Sequence, residues 1–128
     1  MLEPPRELDA VANKVIGAAL EVHRHLGPGF LESVYEEALA AELKLQNIGL
    51  ERQKPIRIFY KEILIGEHRV DLLIENMLVV ELKAVEKFLP IHKAQLISYL
   101  KAASLPLGLL INFNEKWLKD GVQRIVLT

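Results

Sequence analysis

The spacing of the apolar residues changes along this chain, and the order of these changes limits the folds that it can adopt. In residues 8–26 and 31–47 apolar side chains recur every three or four positions, which is typical of amphipathic helices. In residues 52–61 apolar and polar side chains alternate, as in a strand, and β-rich runs follow at residues 68–74 and 78–83. Two helices followed by a three-stranded meander are therefore predicted.

Glycine and proline mark where these elements end. Gly27 and Gly29 are placed to stop the first helix, Gly49 follows the second, and Gly66 is predicted to separate the first two strands.

The remainder of the chain predicts a return to the sheet through a third helix. Pro90 opens this helix and Pro106 closes it, before the apolar strand 107–113 and a final strand at 122–127. The order αα-βββ-α-β-β indicates an α/β fold with a mixed β-sheet flanked by helices. One domain over residues 1–128 is expected, with an N-terminal helix and turn (1–29), a core (30–113) and a C-terminal strand (114–128).

Composition excludes several classes of function. The chain has no cysteine, so disulfides and zinc fingers are excluded and a reducing, cytoplasmic location is expected. No apolar run is long enough to cross a membrane, so no membrane association is expected. The net charge of −1 provides no global positive field, so any contact with nucleic acid must be local.

Charged residues interrupt two strands that are otherwise apolar. Asp71 lies in the second strand, whereas Glu81 and Lys83 lie in the third. Because side chains alternate along a strand, Glu81 and Lys83 share one face, about 7 Å apart. Two carboxylates beside a lysine can hold a divalent cation, which polarises a phosphodiester and activates water. The structural alternative is an ion pair of Glu81 with Lys83 on a half-exposed strand, with Asp71 solvated.

A shared metal site requires Asp71 and Glu81 to point to the same face of the sheet. Directly opposed residues of an antiparallel pair do so, and this register leaves Glu75, Asn76 and Met77 as a three-residue loop, of a kind that commonly ends in a left-handed residue. A two-residue turn would place the carboxylates on opposite faces. The predicted register also pairs Leu72 with Val80, Leu73 with Val79 and Ile74 with Leu78.

Asp71 and the segment Glu81-Leu82-Lys83 resemble the D…(D/E)xK signature of the PD-(D/E)xK, restriction-endonuclease-like nucleases. Residues 29–35 also resemble the motif of the GxxExxY protein family, usually grouped in that class. Val70 stands where many members of the class carry proline before the first acid. The similarity covers most of the chain and includes residues 21–23, 26–29, 90–92 and 109–113.

The resemblance implies a role for each matching residue. Asp71 and Glu81 would bind Mg²⁺ or Mn²⁺, Lys83 would aid the attacking water, and Glu32 would be an additional catalytic acid. Substrate contacts are implied for Gln95 and Tyr99, in a Q-x-x-x-Y motif, and for Tyr35. Glu32 also has a simpler explanation, because acids favour the first turn of a helix. Gln95 and Tyr99 could likewise belong to the polar border of an amphipathic helix.

The function expected from this resemblance is a metal-dependent nuclease, with DNA rather than RNA as the expected substrate. One alternative is a nucleic-acid-binding or regulatory module that keeps the fold without turnover. Another is a protein-interaction domain in which the motif is structural. A homodimer is one open oligomeric state. His23, His25 and His68 have no spacing that compels a metal site and are interpreted as ordinary polar or half-buried side chains.

Overall fold

The computed structural model describes residues 5–127, so residues 1–4 and 128 of the predicted domain lie outside the described residues. Within the described range, three α-helices and five strands follow the predicted order, which confirms the α/β class. They are α1 (Arg6–Leu26), α2 (Glu32–Leu45), β1 (Leu50–Tyr60), β2 (Ile63–Ile74), β3 (Leu78–Lys83), α3 (Pro90–Ala103), β4 (Leu107–Asn112) and β5 (Val122–Val126). A 3-10 helix at Leu118–Gly121, not predicted, leads into β5.

The five strands form one mixed sheet in the order β1-β2-β3-β4-β5. Strands β1, β2 and β3 form the predicted antiparallel meander. The chain then crosses over through α3, so that β4 pairs with β3 in parallel, and β5 closes the sheet antiparallel to β4. A parallel pair requires such a crossover, because a short turn can only reverse the chain.

The turn between β1 and β2 differs from the prediction. Gly66 does not separate the strands but pairs with Ile58 inside the hairpin, and the turn lies at Lys61 and Glu62. Lys61 takes a left-handed conformation there, with φ 54°. The tip of this hairpin extends beyond β3, so its apolar residues stay exposed and their pattern carries no burial signal; Ile63 is 63% exposed.

Helices cover both faces of the sheet and give two apolar cores. Helices α1 and α2 pack on one face, where the larger core is centred on Tyr35, Leu39 and Phe113. Helix α3 packs on the other face over a smaller core that includes Leu96 and Leu100. Because strand side chains alternate, β3 contributes Leu78, Val80 and Leu82 to the first core and Val79 to the second.

No helix among the described residues is long and apolar enough to span a membrane.

Candidate active site

The register of β2 and β3 leads up to the two predicted carboxylates, Asp71 and Glu81, which directly follow its last pair. Leu72 pairs with Val80 and Ile74 with Leu78, which confirms the predicted register and the three-residue loop at 75–77. The loop conformation differs from the prediction. Glu75 and Asn76, its first two residues, are left-handed (φ 52° and 58°), and Met77 at its end is not. Glu75 is held there because its backbone N–H donates to the carbonyl oxygen of Gly49 (2.9 Å) and its side chain accepts from the N–H of Gly49 (2.6 Å).

Strand β2 changes face at Asp71, where its pairing with β1 is interrupted. Val70 packs under α3, whereas Leu72, two residues later, packs in the core under α1 and α2. Strict alternation would place both on one face. Gln53, opposite Asp71 in the register, is left-handed (φ 51°), and the ladder between β1 and β2 is interrupted at this pair. Asp71 and residues just before it, including His68, can therefore face the same cleft under α3.

Hydrogen bonds hold the two carboxylates against the backbone. Asp71 Oδ2 accepts from the N–H of Leu82 at 2.7 Å, and Asp71 Oδ1 accepts from Gln53 Nε2 at 3.3 Å. Glu81 Oε2 lies 3.4 Å from the backbone N–H of Asp71. Each of the two acids therefore lies next to the backbone of the strand that carries the other, in the centre of the sheet.

The carboxyl group of Glu81 lies in an unusual environment. It is only 6% exposed. Burial, then the negative charge of Asp71 and a hydrogen bond with its side chain, raises the pKa of Glu81 to about 9, and Lys83 only partly offsets this. Repulsion between the two acids was foreseeable from the sequence, but burial is the larger cause. At neutral pH and without a cation, the pair retains a proton.

All the predicted site residues except Tyr35 line one cleft of about 280 Å³. It lies between β2, β3 and α3, and the start of α2 forms one side. Its lining residues are Glu32, His68, Asp71, Glu81, Leu82, Lys83, His92, Gln95, Leu96, Tyr99 and Leu110. Two other described cavities are larger, one of about 440 Å³ beside β1 and one of about 710 Å³ beside the end of α1, but neither has an acid in its lining. Chemistry rather than size therefore singles out the cleft.

Glu32 and Lys83 are brought to the cleft by the ends of their elements. Glu32 begins α2, and its Oε1 accepts from the N–H of Ala84 at 3.3 Å, directly after Lys83. The end of β3 is fixed because the Lys83 carbonyl accepts from the N–H of Phe113. Buried Asn112 then holds the following segment by donating to the carbonyl of Val85 at 2.8 Å. The acid and the lysine thus reach the cleft from the start of α2 and the end of β3, where hydrogen bonds hold the backbone.

Tyr35 does not lie in the cleft, and its predicted contact with substrate is not supported. Its side chain is fully buried and stacks on Phe113, with ring centroids 4.5 Å apart. Its hydroxyl donates to the Gly27 carbonyl at 2.6 Å and accepts from the N–H of Phe30 at 3.1 Å. Tyr35 fastens the turn before α2, where Gly27 and Gly29 adopt φ values of 68° and 114° that favour glycine. It therefore helps to place Glu32 without reaching the cleft itself.

His68 is a cleft residue that the sequence reasoning missed. Its Nε2 lies 3.0 Å from Glu81 Oε1, and its ring stacks on Tyr99 with centroids 3.7 Å apart and planes 8° apart. Burial lowers the pKa of His68, and Lys83 lowers it further while Asp71 opposes the shift. Alternation predicts opposite faces for residues three apart, so only the change of face at Asp71 could have revealed this position.

The donors in the cleft fit a hard divalent cation. No group of three or more histidine or acidic side chains forms a ready-made metal cluster within residues 5–127. Mg²⁺ is commonly held by one or two carboxylates, with waters and substrate phosphates completing its shell. Asp71 and Glu81 provide such a pair, and a cation there would offset the cost of ionising buried Glu81.

Comparison with known proteins agrees with this geometry. Searches of curated proteins and of solved structures gave no significant match. The family model described as the PD-(D/E)XK nuclease superfamily matches residues 9–125, which include every residue of the cleft. The chain therefore belongs to the PD-(D/E)XK nuclease superfamily.

Proposed function

We propose that this protein is a metal-dependent phosphodiesterase that cleaves nucleic acid, with DNA rather than RNA as the expected substrate, in the cleft between β2, β3 and α3. The observation that carries the proposal is the buried carboxyl of Glu81 beside Asp71, with Lys83 in the same cleft. A buried acid beside a second carboxylate is costly for a fold and is most readily retained where the two bind a cation.

Asp71 and Glu81 would hold the cation, Mg²⁺ or Mn²⁺. When bound, it supplies Lewis-acid stabilisation of the phosphate and lowers the pKa of the attacking water. Glu81 must first lose its proton, so its raised pKa makes binding favour higher pH.

Lys83 and Glu32 have complementary roles in this proposal. Lys83 shares the α3 face with Glu81 and would orient the water or neutralise the developing charge on the phosphate. Glu32 faces them from α2 and would hold a second water or ion.

Gln95 on α3 would contact the substrate. It lies one helical turn from Tyr99, so both side chains reach the same side of the cleft. Gly29, Glu32 and Tyr35 support assignment to the GxxExxY group within the superfamily, with Tyr35 acting through the turn that it fastens.

An interaction domain with a closed structural motif is less well supported. Such a domain would bury the charged residues away from ligands, whereas Glu32, Lys83 and Gln95 border an open cleft.

The test is cleavage of labelled DNA and RNA, single- and double-stranded, with Mg²⁺, with Mn²⁺ or with EDTA. We expect cleavage by the wild type that requires the metal, and loss of turnover in Lys83→Ala. Lys101→Ala removes an exposed lysine of α3 outside the cleft and is the matched control. Binding of nucleic acid without cleavage of any substrate would favour the regulatory module, and full activity of Lys83→Ala would refute the assignment of roles.

A further inference from the structure

We propose that His68 is a positioning residue for Glu81, held in place by the ring of Tyr99. The inference rests on the proposed function, because it concerns how the carboxylate is prepared for a cation. It also gives Tyr99 a role through its ring, in place of the contact with substrate suggested by the sequence motif.

The first observation is the contact between His68 and Glu81. His68 Nε2 lies 3.0 Å from Glu81 Oε1, and the side chains are 32% and 8% exposed. When Glu81 is ionised, an N–H at Nε2 donates to Oε1 and fixes the rotation of the carboxylate. Oε2 then points towards the backbone of Asp71, 3.4 Å away. Outer hydrogen bonds of this kind orient metal-binding carboxylates in many sites.

The second observation is the support of the imidazole itself. The ring of His68 lies parallel to that of Tyr99, at 3.7 Å between centroids. A stacked ring cannot rotate freely, so Nε2 stays directed at Glu81. The Tyr99 hydroxyl has no hydrogen bond to His68 or Glu81 among the described residues. The surface of the tyrosine ring, rather than its hydroxyl, therefore supports the histidine.

The third observation is that this arrangement depends on the change of face at Asp71. His68 is three residues before Asp71, yet both line the cleft. The left-handed Gln53 opposite Asp71 accompanies that change. Besides Glu81, the charged groups that face His68 are Asp71 and Lys83, both within the same cleft.

The experiment measures Mn²⁺ affinity by calorimetry or by electron paramagnetic resonance, with the stability of each variant measured in EDTA. His68→Phe keeps an aromatic ring against Tyr99 and removes the donor. His68→Gln places an amide N–H near the position of Nε2. Tyr99→Phe keeps the stacking ring, whereas Tyr99→Leu removes it. His25→Phe, at the exposed end of α1, is the control.

We expect His68→Phe to bind Mn²⁺ about 10- to 100-fold more weakly than the wild type, the usual cost of losing such a partner. His68→Gln should recover much of this loss, Tyr99→Leu should weaken binding, and Tyr99→Phe should retain it. If only the ring mattered, the pattern would be reversed: His68→Phe would bind like the wild type, and His68→Gln, which lacks the ring, would bind more weakly.

The outcomes separate this inference from the proposed function. If the wild type binds Mn²⁺ and Glu81→Ala does not, but His68→Phe and His68→Gln bind like the wild type, the role of His68 is refuted and the proposed function stands. If the wild type binds no Mn²⁺, both are refuted.

Discussion

The two faces of the sheet differ in the side chains that they carry, and β3 shows this difference within its six residues. Leu78, Val80 and Leu82 point into the closed apolar core under α1 and α2. The alternate positions end in Glu81 and Lys83, which face the cleft under α3. The alternation of one strand therefore separates stability from the proposed chemistry, so substitutions on the two faces should have different consequences.

The largest expected effect is on the cleft face. Glu81→Ala should lower cleavage by on the order of 10³-fold or more, because it removes a proposed ligand whose cation would contribute several kcal/mol to stabilising the transition state. The free energy of unfolding of this variant in EDTA should not fall, because the substitution removes a buried acid that lies beside another acid. Cleavage rates measure the activity, and chemical unfolding measures the stability. A variant that stayed active, or that unfolded more readily than the wild type, would contradict the separation of the two faces.

On the opposite face the effect should be on stability. Leu39 is fully buried between α2 and the sheet. Leu39→Ala should lower the free energy of unfolding by about 2–5 kcal/mol through lost burial and the remaining cavity. Under conditions where the variant stays folded, the affinity for Mn²⁺ should be unchanged. A large loss of metal affinity at full folding would show that the two faces are coupled.

Much of this division could be predicted from the sequence, because it depends on local rules. Alternation in β3 places Glu81 and Lys83 together, and the three-residue loop sets the register in which Asp71 and Glu81 follow the last pair, Leu72 with Val80. The prediction of a turn at Gly66 was wrong because the tip of the hairpin lies outside the core. Its apolar residues therefore show no burial pattern that would have placed Gly66 inside a strand.

The positions of His68 and Tyr35 required tertiary structure. The change of face at Asp71 accompanies the left-handed conformation of Gln53, and no residue pattern in the sequence predicts that conformation. Tyr35 lies in the matched motif, but only packing against Phe113 and the turn at Gly27 shows that it is a core residue.

A third, intermediate effect is the pH dependence of stability in the metal-free protein. The folded pKa of Glu81 is about 9, above its ordinary value of 4.5, so the folded state binds a proton more tightly than the unfolded state. Its contribution is fully present below about pH 4.5 and is lost as the pH rises towards 9, by up to about 1.4 kcal/mol per pH unit. Unfolding in EDTA between pH 5.5 and 8 should show this slope in the wild type.

Glu81→Gln is the control for that slope, since it cannot ionise. The difference between wild type and variant isolates Glu81 from His68, whose lowered pKa acts in the opposite direction at low pH. If the unfolding free energies of the two proteins changed in parallel with pH, Glu81 would have an ordinary pKa, and the proximity of the two acids would not disfavour its ionisation.

The smallest expected effect is at the rim between α2 and β1. Arg52 donates to Glu36 at 2.9 Å and to Glu37 at 2.8 Å, and its side chain is 33% exposed. Such partly exposed pairs contribute little, so Arg52→Ala should cost less than about 1 kcal/mol of unfolding free energy. Thermal or chemical unfolding would measure it. A cost as large as that of Leu39→Ala would mean that the closed face depends on charge as well as on apolar packing.

The most direct measurement is calorimetric titration of the wild type with Mg²⁺ or Mn²⁺ at pH 7, in two buffers of different ionisation enthalpy. If Asp71 and Glu81 hold the cation together, binding should release close to one proton per ion, because Glu81 with a pKa of about 9 is protonated beforehand. Glu81→Gln should release none and bind more weakly. Absence of binding, or binding without proton release in the wild type, would contradict a metal site built on these two carboxylates.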